Sequence, residues 1–424
     1  MSWILRYRIW TFVRSALWLV PLGSMVLAVA LIPLLRHVDQ ATGWTLFGFG
    51  INGARALLAM LAASMLSLLV FVLSALLIAV QVASAQLTPR VIAATFMRDR
   101  PVRFTIALVV FTFMLSIGVL GRSEDAVLQL STAICILASL ASIAMFLFLV
   151  DYALKSLRPV TLVARVAAEG FKVVEDVYPY LRGAEIDRRR STRGAIPAAP
   201  DRTIEHTRDS AVLIAADFRQ LSAAGVAAGG LIELIPRVGD FIAEGEPLFH
   251  LYAGAARLDD RSLRGALAFG QERTLEQDPM FAFRILVDIA AKALSAAIND
   301  PTTAVLAIDQ IHPLLRAIGK RRVDTEAILD ETGTLGVVFR TPNWEDYVVL
   351  ATSEIRQYGG GSLQVVRRLR AMLEDLIANL PEIRRPPLEL QLRVLGRAVA
   401  RNFPDAEDLE IAGTADPQGL GHVV

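Results

Sequence analysis

The residues best suited to binding chemistry stand close together in the string DIAAKALSAAINDPTTA. They combine carboxylate, ammonium, amide and hydroxyl groups with one proline, and they are Asp288, Lys292, Asn299, Asp300, Pro301 and Thr302. If folding brings the oxygen-bearing members together, they suit a hard cation, a nucleotide or a protein partner. No calcium loop or phosphate loop pattern accompanies them, so the nature of an ion or small ligand stays open.

A structural interpretation explains the INDP string without any ligand. Asn299 can end one helix, Asp300 can cap the next, and Pro301 suits the first turn of that second helix. The residue before a proline is displaced from the helical region, which is where a cap residue must be. Periodicity predicts the first helix over Phe281–Ile298. Three charged residues of that helix are spaced for i, i+4 ion pairs: Arg284, Asp288 and Lys292.

Groups that support catalysis or metal binding are sparse. Cys135 is the single cysteine, which excludes a disulfide within the chain and a thiolate metal cluster. The five histidines show no ligand spacing: His37, His206, His250, His312 and His422. The sequence motifs of a serine nucleophile, a zinc protease or a phosphate loop are also missing. We expect no catalytic residue, no metal, no cofactor and no enzymatic activity.

A short strip, RVGDFIAEGEPLFHL, resembles the hairpin of the biotinyl- and lipoyl-like barrel-sandwich modules. The resemblance is carried by Gly239, Asp240, Gly245, Pro247 and Leu248. Glycines are needed there because the chain turns with positive φ. The attachment lysine of a lipoyl domain does not follow, since YAGAARLDDR contains none. The strip therefore predicts a small β module with a structural or oligomer-contact role.

The composition places these groups in a membrane protein. The chain has 424 residues, 54% of them hydrophobic and 20% charged, whereas soluble chains have about 45–50% and about 25%. Four runs are apolar enough to cross a bilayer: Ala16–Leu35, Ala56–Val82, Phe104–Leu120 and Ala126–Val150. A net charge of +1 does not suggest a nucleic-acid partner.

Loop arginines predict the orientation of the four spans. One side of the membrane is rich in basic residues: Arg6, Arg8, Arg14, Arg90, Arg98, Arg100, Arg103, Lys155, Arg158 and Arg165. The other side has only Arg36, Arg55 and Arg122. We therefore expect a multi-pass protein of the bacterial inner membrane with both termini in the cytoplasm and membrane lipids as its surroundings.

The four apolar runs contain no charged residue or histidine, which argues against a proton-coupled transporter. They carry polar residues at helical spacing instead: Ser64, Ser67, Ser74, Gln81, Ser131, Ser139 and Ser142. Such small residues favour close helix packing. The alternative is that they face a water-filled pore, which requires several subunits because four helices enclose little space. This alternative predicts a homo-oligomer.

The predicted fold is a mainly α integral membrane protein, in which a four-helix transmembrane bundle precedes a cytosolic α+β region. That region has a small barrel-sandwich-like β module and a helical C-terminal part. The predicted divisions are a transmembrane domain (1–150), a juxtamembrane helix with a basic linker (151–202), the β module (203–255), a helical domain (256–412) and a flexible tail (413–424).

Two strings resemble a known family. DIAAKALSAAINDPTTA is one, and ASAQLTPRVI between spans two and three, with Ser84, Gln86, Pro89 and Arg90, is the other. Both are similar to the signatures of a bacterial predicted membrane protein family of unknown function (domain of unknown function 2254). The resemblance covers nearly the whole chain and implies the topology. It implies no catalytic residue.

Two functional hypotheses follow. The first is a homo-oligomeric channel or pore with a cytosolic domain for gating and assembly, because uncharged spans with hydroxyl faces suit conduction better than coupled transport. The second is a membrane-anchored sensor or scaffold whose cytosolic domain binds a ligand or a protein partner through the INDP region.

Overall fold

The computed structural model describes residues 13, 16–43, 48, 50–86, 99–123, 128–181, 196–323, 327–329 and 334–420, without the side chains of 83–86 and 327–329. These residues belong to two compact units. The N-terminal unit lies within Ile9–Leu162 and the C-terminal unit within Val163–Val424. Residues 87–92 of the second family string, with Pro89 and Arg90, lie outside the described residues, and so does most of the predicted basic linker.

The described residues of the N-terminal unit form four helices: α1 (Leu19–Thr42), α2 (Ile51–Gln86), α3 (Arg100–Leu120) and α4 (Gln129–Ser156). All four are long and apolar enough to cross a membrane, which confirms the four predicted spans. Helix α3 packs against each of the other three and is the most buried of them. Most of the apolar surface of the other three helices faces outward, as it must in a protein whose solvent is lipid.

Helix α1 extends beyond the span that hydropathy predicts. It runs to Thr42, so that Arg36, His37 and Asp39 belong to the helix and not to a loop. Hydropathy ends a span at the first charges, but backbone hydrogen bonding continues for as long as the residues are good helix formers. The helix ends where Gly43 adopts a positive φ of 58°.

Helix α5 (Pro159–Val177) lies in the predicted juxtamembrane segment and begins at a proline, which suits the first turn of a helix. Its apolar face, which includes Val163, Val166 and Val174, is buried in the C-terminal unit. A methyl group built on Gly170 would lie 2.9 Å from the Cβ atom of Ala282, so the helix is in close contact with this part of the chain. The apolar stripe of α5 therefore packs on other helices of its own unit.

The remaining helices of the C-terminal unit are α6 (Phe218–Ala227), α7 (Asp260–Arg264), α8 (Pro279–Ala293), α9 (Pro301–Gly319), α10 (Trp344–Gly359), α11 (Leu363–Asn379), α12 (Arg385–Asn402) and α13 (Ala406–Ala412). Helices α8 to α12 pack against one another around buried aliphatic side chains. One prediction here is wrong in extent: the first helix of the INDP segment ends at Ala293 and not at Ile298. Residues 294–298 form turns, because Asn299 must reverse the chain before α9 begins.

The strands are β1 (Arg202–Glu205), β2 (Ala211–Ala216), β3 (Gly230–Leu234), β4 (Phe241–Ile242), β5 (Pro247–Ala253), β6 (Leu267–Gly270), β7 (Ala327–Leu329) and β8 (Leu335–Phe339). They form a five-stranded sheet in the order β1-β5-β3-β8-β7 and a three-stranded sheet in the order β4-β2-β6. All pairs are antiparallel except β3 with β8.

The sheets extend beyond the predicted β module. Strands β6, β7 and β8 all follow residue 255; β6 pairs with β2 and β8 with β3, both of which precede it, and β7 adds to the edge of the larger sheet beside β8. The positive φ expected of the glycines in the predicted hairpin is present at Gly239 (97°) and Gly245 (85°). The barrel-sandwich resemblance itself stays a prediction.

Helix α6 packs directly on strand β8 through two glycines. A Cβ atom on Gly225 would lie 2.1 Å from the carbonyl oxygen of Gly336, and one on Gly336 would lie 2.2 Å from the carbonyl oxygen of Ser222. Both obstacles are backbone atoms, which cannot rotate away. The helix and the sheet therefore approach each other at a distance that no side chain other than hydrogen permits.

The C-terminal tail differs from the flexible tail that the sequence predicts. As far as Leu420 it packs on α11, where Asp416 is only 2% exposed. The Nε atom of Arg367 donates a hydrogen bond to the carbonyl oxygen of Thr414 at 3.1 Å, and the side chain of Gln364 donates to that of Gly419 at 2.5 Å. The glycines and proline of this segment predict flexibility, because the residues that hold it in place lie on a helix about 50 residues earlier in the chain.

Candidate functional site

The polar residues predicted to face a pore fall into two groups with different surroundings. Those of α2 are exposed on the outside of the N-terminal unit: Ser64, Ser67, Ser74 and Gln81. We call these four residues the α2 polar face. Successive members are three or seven residues apart, so they share one side of the helix. The hydroxyl of Ser67 donates a hydrogen bond to the carbonyl oxygen of Ala63 at 3.0 Å.

The polar residues of α4 are buried in the interior of the same unit. Ser142 shares a 3.1 Å hydrogen bond with the hydroxyl of Thr112 on α3, and Ser139 donates to the carbonyl oxygen of Cys135 at 2.8 Å. Ser131 is also fully buried. Ser142 and Ser131 therefore join helices within this unit, whereas Ser139 bonds within its own helix. Of the two groups of predicted pore residues, the serines of α4 are buried and only the α2 polar face is turned away from the other described spans.

Asp39 is the polar residue that sequence reasoning missed in this unit. Its carboxylate accepts hydrogen bonds from the backbone amides of Leu130 (2.8 Å) and Ser131 (3.0 Å) and from the hydroxyl of Ser131. These amides belong to the first turn of α4, which has no cap of its own. A helix begins with unpaired amides and a partial positive charge, so a carboxylate from α1 caps α4 across the bundle.

The INDP string forms the predicted start of the second helix but not the end of the first. Asp300 is the N-cap of α9: its carboxylate accepts hydrogen bonds from the backbone amide (3.0 Å) and the hydroxyl (2.5 Å) of Thr303. Pro301 occupies the first turn. Asn299 has a φ of 48°, and its backbone amide donates a hydrogen bond to the carbonyl oxygen of Ser295 at 2.9 Å. The capping interpretation is therefore confirmed for Asp300 and Pro301, both oxygens of Asp300 being used within the turn, but it is wrong for Asn299, because α8 has already ended at Ala293.

Asp278 plays the same part at the start of α8. It is the N-cap, it accepts a hydrogen bond from the amide of Phe281 at 3.1 Å, and Pro279 follows it. The carboxylate of Asp278 is buried, and this burial raises its pKa. The Nε atom of Arg273, 2.9 Å from a carboxylate oxygen, acts in the opposite direction and lowers the pKa. The two Asp-Pro pairs thus begin the two helices of the segment in the same way.

The remaining members of the predicted ligand set do not gather around one point. Asp288 faces Arg284, whose Nε atom donates to it at 2.8 Å. The same guanidinium forms a bidentate pair with Glu354 of α10, with Nη2 to Oε2 at 2.7 Å. Glu354 was not predicted, because it lies 70 residues from Arg284 in the chain. The side chains of Asn299 and Thr302 are exposed.

A second polar network joins α9 to α11. The Nε2 atom of His312 lies 2.6 Å from a carboxylate oxygen of Asp375, and the guanidinium of Arg368 lies 3.3 Å from the Nδ1 atom. An arginine can only donate, so Nδ1 accepts and Nε2 carries the proton of a neutral imidazole. Burial lowers the pKa of His312, and the carboxylate of Asp375 acts in the opposite direction. Arg316 and Asp309 complete the network.

Comparison with known proteins agrees with this architecture. The family model described as "Predicted membrane protein (DUF2254)" matches residues 14–375. An uncharacterised protein of Mycobacterium bovis and one of Mycobacterium tuberculosis are each 26% identical over 421 residues, covering 95% of this chain and 80% of theirs. No solved structure matches the chain.

No group of three histidine, cysteine, aspartate or glutamate residues suited to a metal is present in the part of the chain that the structure describes. What distinguishes the protein is its combination of four apolar spans, an exposed polar face on α2 and a C-terminal unit built around two Asp-Pro helix starts. With a family model that matches most of its length, the chain belongs to the predicted membrane protein family DUF2254.

Proposed function

We propose that this protein is a homo-oligomeric channel of the bacterial inner membrane, in which the α2 polar face of each copy turns toward a shared axis. Both termini are cytoplasmic in this proposal, and the C-terminal unit assembles and gates the oligomer without catalysing a reaction. The observation that carries the proposal is the exposure of Ser64, Ser67, Ser74 and Gln81 on a span, Ala56–Val82, that is otherwise apolar.

The argument rests on what surrounds an exposed face in a membrane. Lipid tails offer no hydrogen bonds, so a polar side chain that faces them loses the bonds it makes in water. Ser67 compensates through Ala63, but the amide of Gln81 has two donors and an acceptor to satisfy. A second copy of the same face, or water in a central pore, supplies these partners. Alanines beside the serines allow the helices to approach closely.

Single-cysteine cross-linking tests the assembly. Cys135 is buried and is the only cysteine, so Cys135→Ser gives a cysteine-free background. In this background Ser67→Cys or Ser74→Cys should form disulfide-linked dimers in membranes under mild oxidation. Ala144→Cys is the matched control, because Ala144 is exposed on α4 away from the polar face. Equal cross-linking at Ala144 would contradict the proposed interface.

Ion flux from liposomes tests conduction. Purified protein should release ions faster than empty vesicles, and Ser67→Leu should abolish the excess flux because it places a bulky apolar group on the axis. Ala144→Leu adds the same bulk elsewhere and should leave the flux unchanged. If no flux is found over a range of salt concentration, pH and membrane tension while cross-linking is intact, the proposed conduction is contradicted and only the proposed assembly is supported.

A second candidate function has its own supporting observation. Asn299 holds a positive φ that is unfavourable for a non-glycine residue, and its side chain is exposed beside Thr302. Such strain is often retained at binding loops. In this alternative the four spans anchor a sensor or scaffold whose INDP turn binds a ligand or protein. Asn299→Gly removes the side chain and relieves the strain, so it should abolish partner binding while the fold is kept.

A further inference from the structure

Positive charge accumulates where α10 and α12 end in the C-terminal unit. Arg356 lies in the last turn of α10 and Arg401 in the last turn of α12. Arg397 precedes Arg401 by one turn on the same side of its helix. A Cβ atom on Gly360 would lie 3.0 Å from the side-chain nitrogen of Asn402, which places the loop after α10 against the end of α12. We call Arg356, Arg397 and Arg401 the arginine cluster.

The cluster is not neutralised by acidic residues. Other arginines of the C-terminal unit form ion pairs with carboxylates, as Arg284 does with Glu354 and Arg368 with Asp309. Within residues 334–420 and the rest of the described chain, no ion pair involves a member of the cluster.

The charges of the cluster act on one another. The pKa of Arg356 is lowered, first by burial and then by the positive charges of Arg401 and Arg397. The Nε atom of Arg356 is buried and has no hydrogen-bond partner. A buried donor without a partner is unfavourable. The repulsion among the three positive charges is also unfavourable, and an anion bound beside the guanidinium groups would relieve it.

Helix dipoles do not account for the whole arrangement. A cation in the last turn of a helix is stabilised by the unpaired carbonyl groups there, which suits Arg356 and Arg401. The effect fades within one turn, and it does not explain why two such helix ends with a third arginine are brought together. Repulsion between the guanidinium groups opposes this proximity.

The loop beside the cluster is buried at Gly359 and Gly360 and open at Gly361. Gly359, Gly360 and Gly361 connect α10 to α11, and no atom lies within 4 Å of a Cβ position on Gly361. Ser362 is the N-cap of α11, but its side chain makes no capping hydrogen bond. The first amides of α11 are thus left for other partners, and they are of the kind that anions bind at helix N-termini. This feature supplements the arginine cluster and does not replace it.

We propose that the arginine cluster and the adjoining Gly359–Ser362 loop form a binding site for a phosphate-bearing anion. A phosphate carries almost two charges and several acceptor oxygens, and the planar guanidinium fork matches two of them at once. Three arginines from two helices suit such a group better than a singly charged, single-atom anion. The phosphate belongs either to a soluble compound or to the headgroup of an anionic lipid. This inference is independent of the proposed channel.

Hydrogen exchange of the full-length protein tests the site in two arms. In detergent, exchange of 355–364 and 393–403 is compared in inorganic phosphate and in chloride of equal ionic strength. In nanodiscs, the same segments are compared with and without phosphatidylglycerol in a phosphatidylcholine bilayer. We expect protection of about tenfold when ligand is present at ten times its Kd. Protection in the first arm identifies a soluble phosphate, and protection only in the second identifies a lipid headgroup.

Variants decide whether the protection belongs to the arginine cluster. Arg397→Gln with Arg401→Gln should abolish it, while Arg219→Gln, which removes an exposed arginine of α6, should leave it unchanged. If the double variant fails to fold, Arg397→Gln alone serves the same purpose. The proposal is overturned if neither arm protects these segments, or if the variant of Arg219 loses protection equally.

Discussion

The carboxylate of Asp39 binds the hydroxyl and the backbone amide of Ser131 and thereby ties the end of the first apolar helix to the start of the fourth. Four consecutive spans could pack in several arrangements, because apolar surfaces are not specific in lipid. A buried charge that fits one helix terminus distinguishes the native arrangement from the others. Removing it affects the fourth helix through its unpaired amides and the bundle through its lost connection.

Replacement of Asp39 should therefore destabilise the N-terminal unit. We expect Asp39→Ala to lower the free energy of unfolding by about 2–3 kcal/mol, because charged hydrogen bonds are lost and buried amides are left unpaired. Ser131→Ala should cost about 1 kcal/mol, and the two changes should not be additive. Reversible unfolding in mixed detergent measures the values. Ser139→Ala is the control, and additive effects of the first two changes would contradict the coupling.

The INDP turn allows capping to be separated from binding. Asp300→Ala should lower the free energy of unfolding by about 1 kcal/mol, because the first turn of α9 loses its cap. Asn299→Gly should leave the stability unchanged or raise it, whereas Asn299→Ala should lower it by about 1 kcal/mol, since alanine tolerates a φ of 48° poorly. Chemical denaturation measures all three. Equal stability of the alanine and glycine variants would show that the backbone there is not strained.

His312 should make stability depend on pH. Its pKa is lowered in the folded protein, so the unfolded chain takes up the proton first as the pH falls. The contribution is complete above the ordinary pKa of about 6.5 and is lost as the pH falls below it. Asp375 and Arg368 of α11 and Asp309 and Arg316 of α9 face the ring. Between neutral and mildly acidic pH, the free energy of unfolding should therefore fall more steeply with falling pH for the wild type than for His312→Gln. Denaturation curves at each pH measure it. His250→Gln is the control, and an unchanged slope in the His312 variant would exclude this histidine as the cause.

The pair of Arg284 with Glu354 should contribute at neutral pH and fail in acid. The hydrogen bonds from Arg284 lower the pKa of Glu354, so the folded state holds the charged form more strongly than the unfolded chain does. This stabilisation is present above the ordinary pKa of the carboxyl group and disappears as the pH falls through the lowered one. Because Glu354 is partly exposed, we expect Glu354→Gln to cost only about 0.5–1 kcal/mol at neutral pH. Arg284→Lys should cost a similar amount, since it loses the bidentate geometry. Thermal melts at neutral pH and in acid measure the destabilisation of each variant. A Glu354→Gln variant that is destabilised as much in acid as at neutral pH would contradict the account.

Local chemistry made much of this molecule predictable from its sequence. The four spans follow from hydropathy, α5 begins at Pro159, and α9 begins at Asp300 with Pro301, because each signal depends on residues within one or two turns. Family membership was also evident from the strings around INDP and is confirmed by the family model.

Contacts between distant segments were beyond the reach of the sequence. Asp39 and Ser131 are 92 residues apart, and Arg284 and Glu354 are 70 apart. Without their partners, Asp39 resembles a loop residue and Glu354 an ordinary surface glutamate. The exposure of Ser67 and the burial of Ser139 likewise depend on how the helices pack, because both serines have the same local pattern.

The contact between Gly225 and Gly336 has a consequence for tracing the history of this fold. Each glycine is obstructed by the backbone of the other segment, so an exchange at one position cannot be compensated by a smaller residue at its partner. Two positions 111 residues apart are thereby bound to the same amino acid for as long as helix and sheet keep this spacing. A remote sequence that keeps this architecture should therefore retain both glycines even after its surface charges and its membrane spans have diverged.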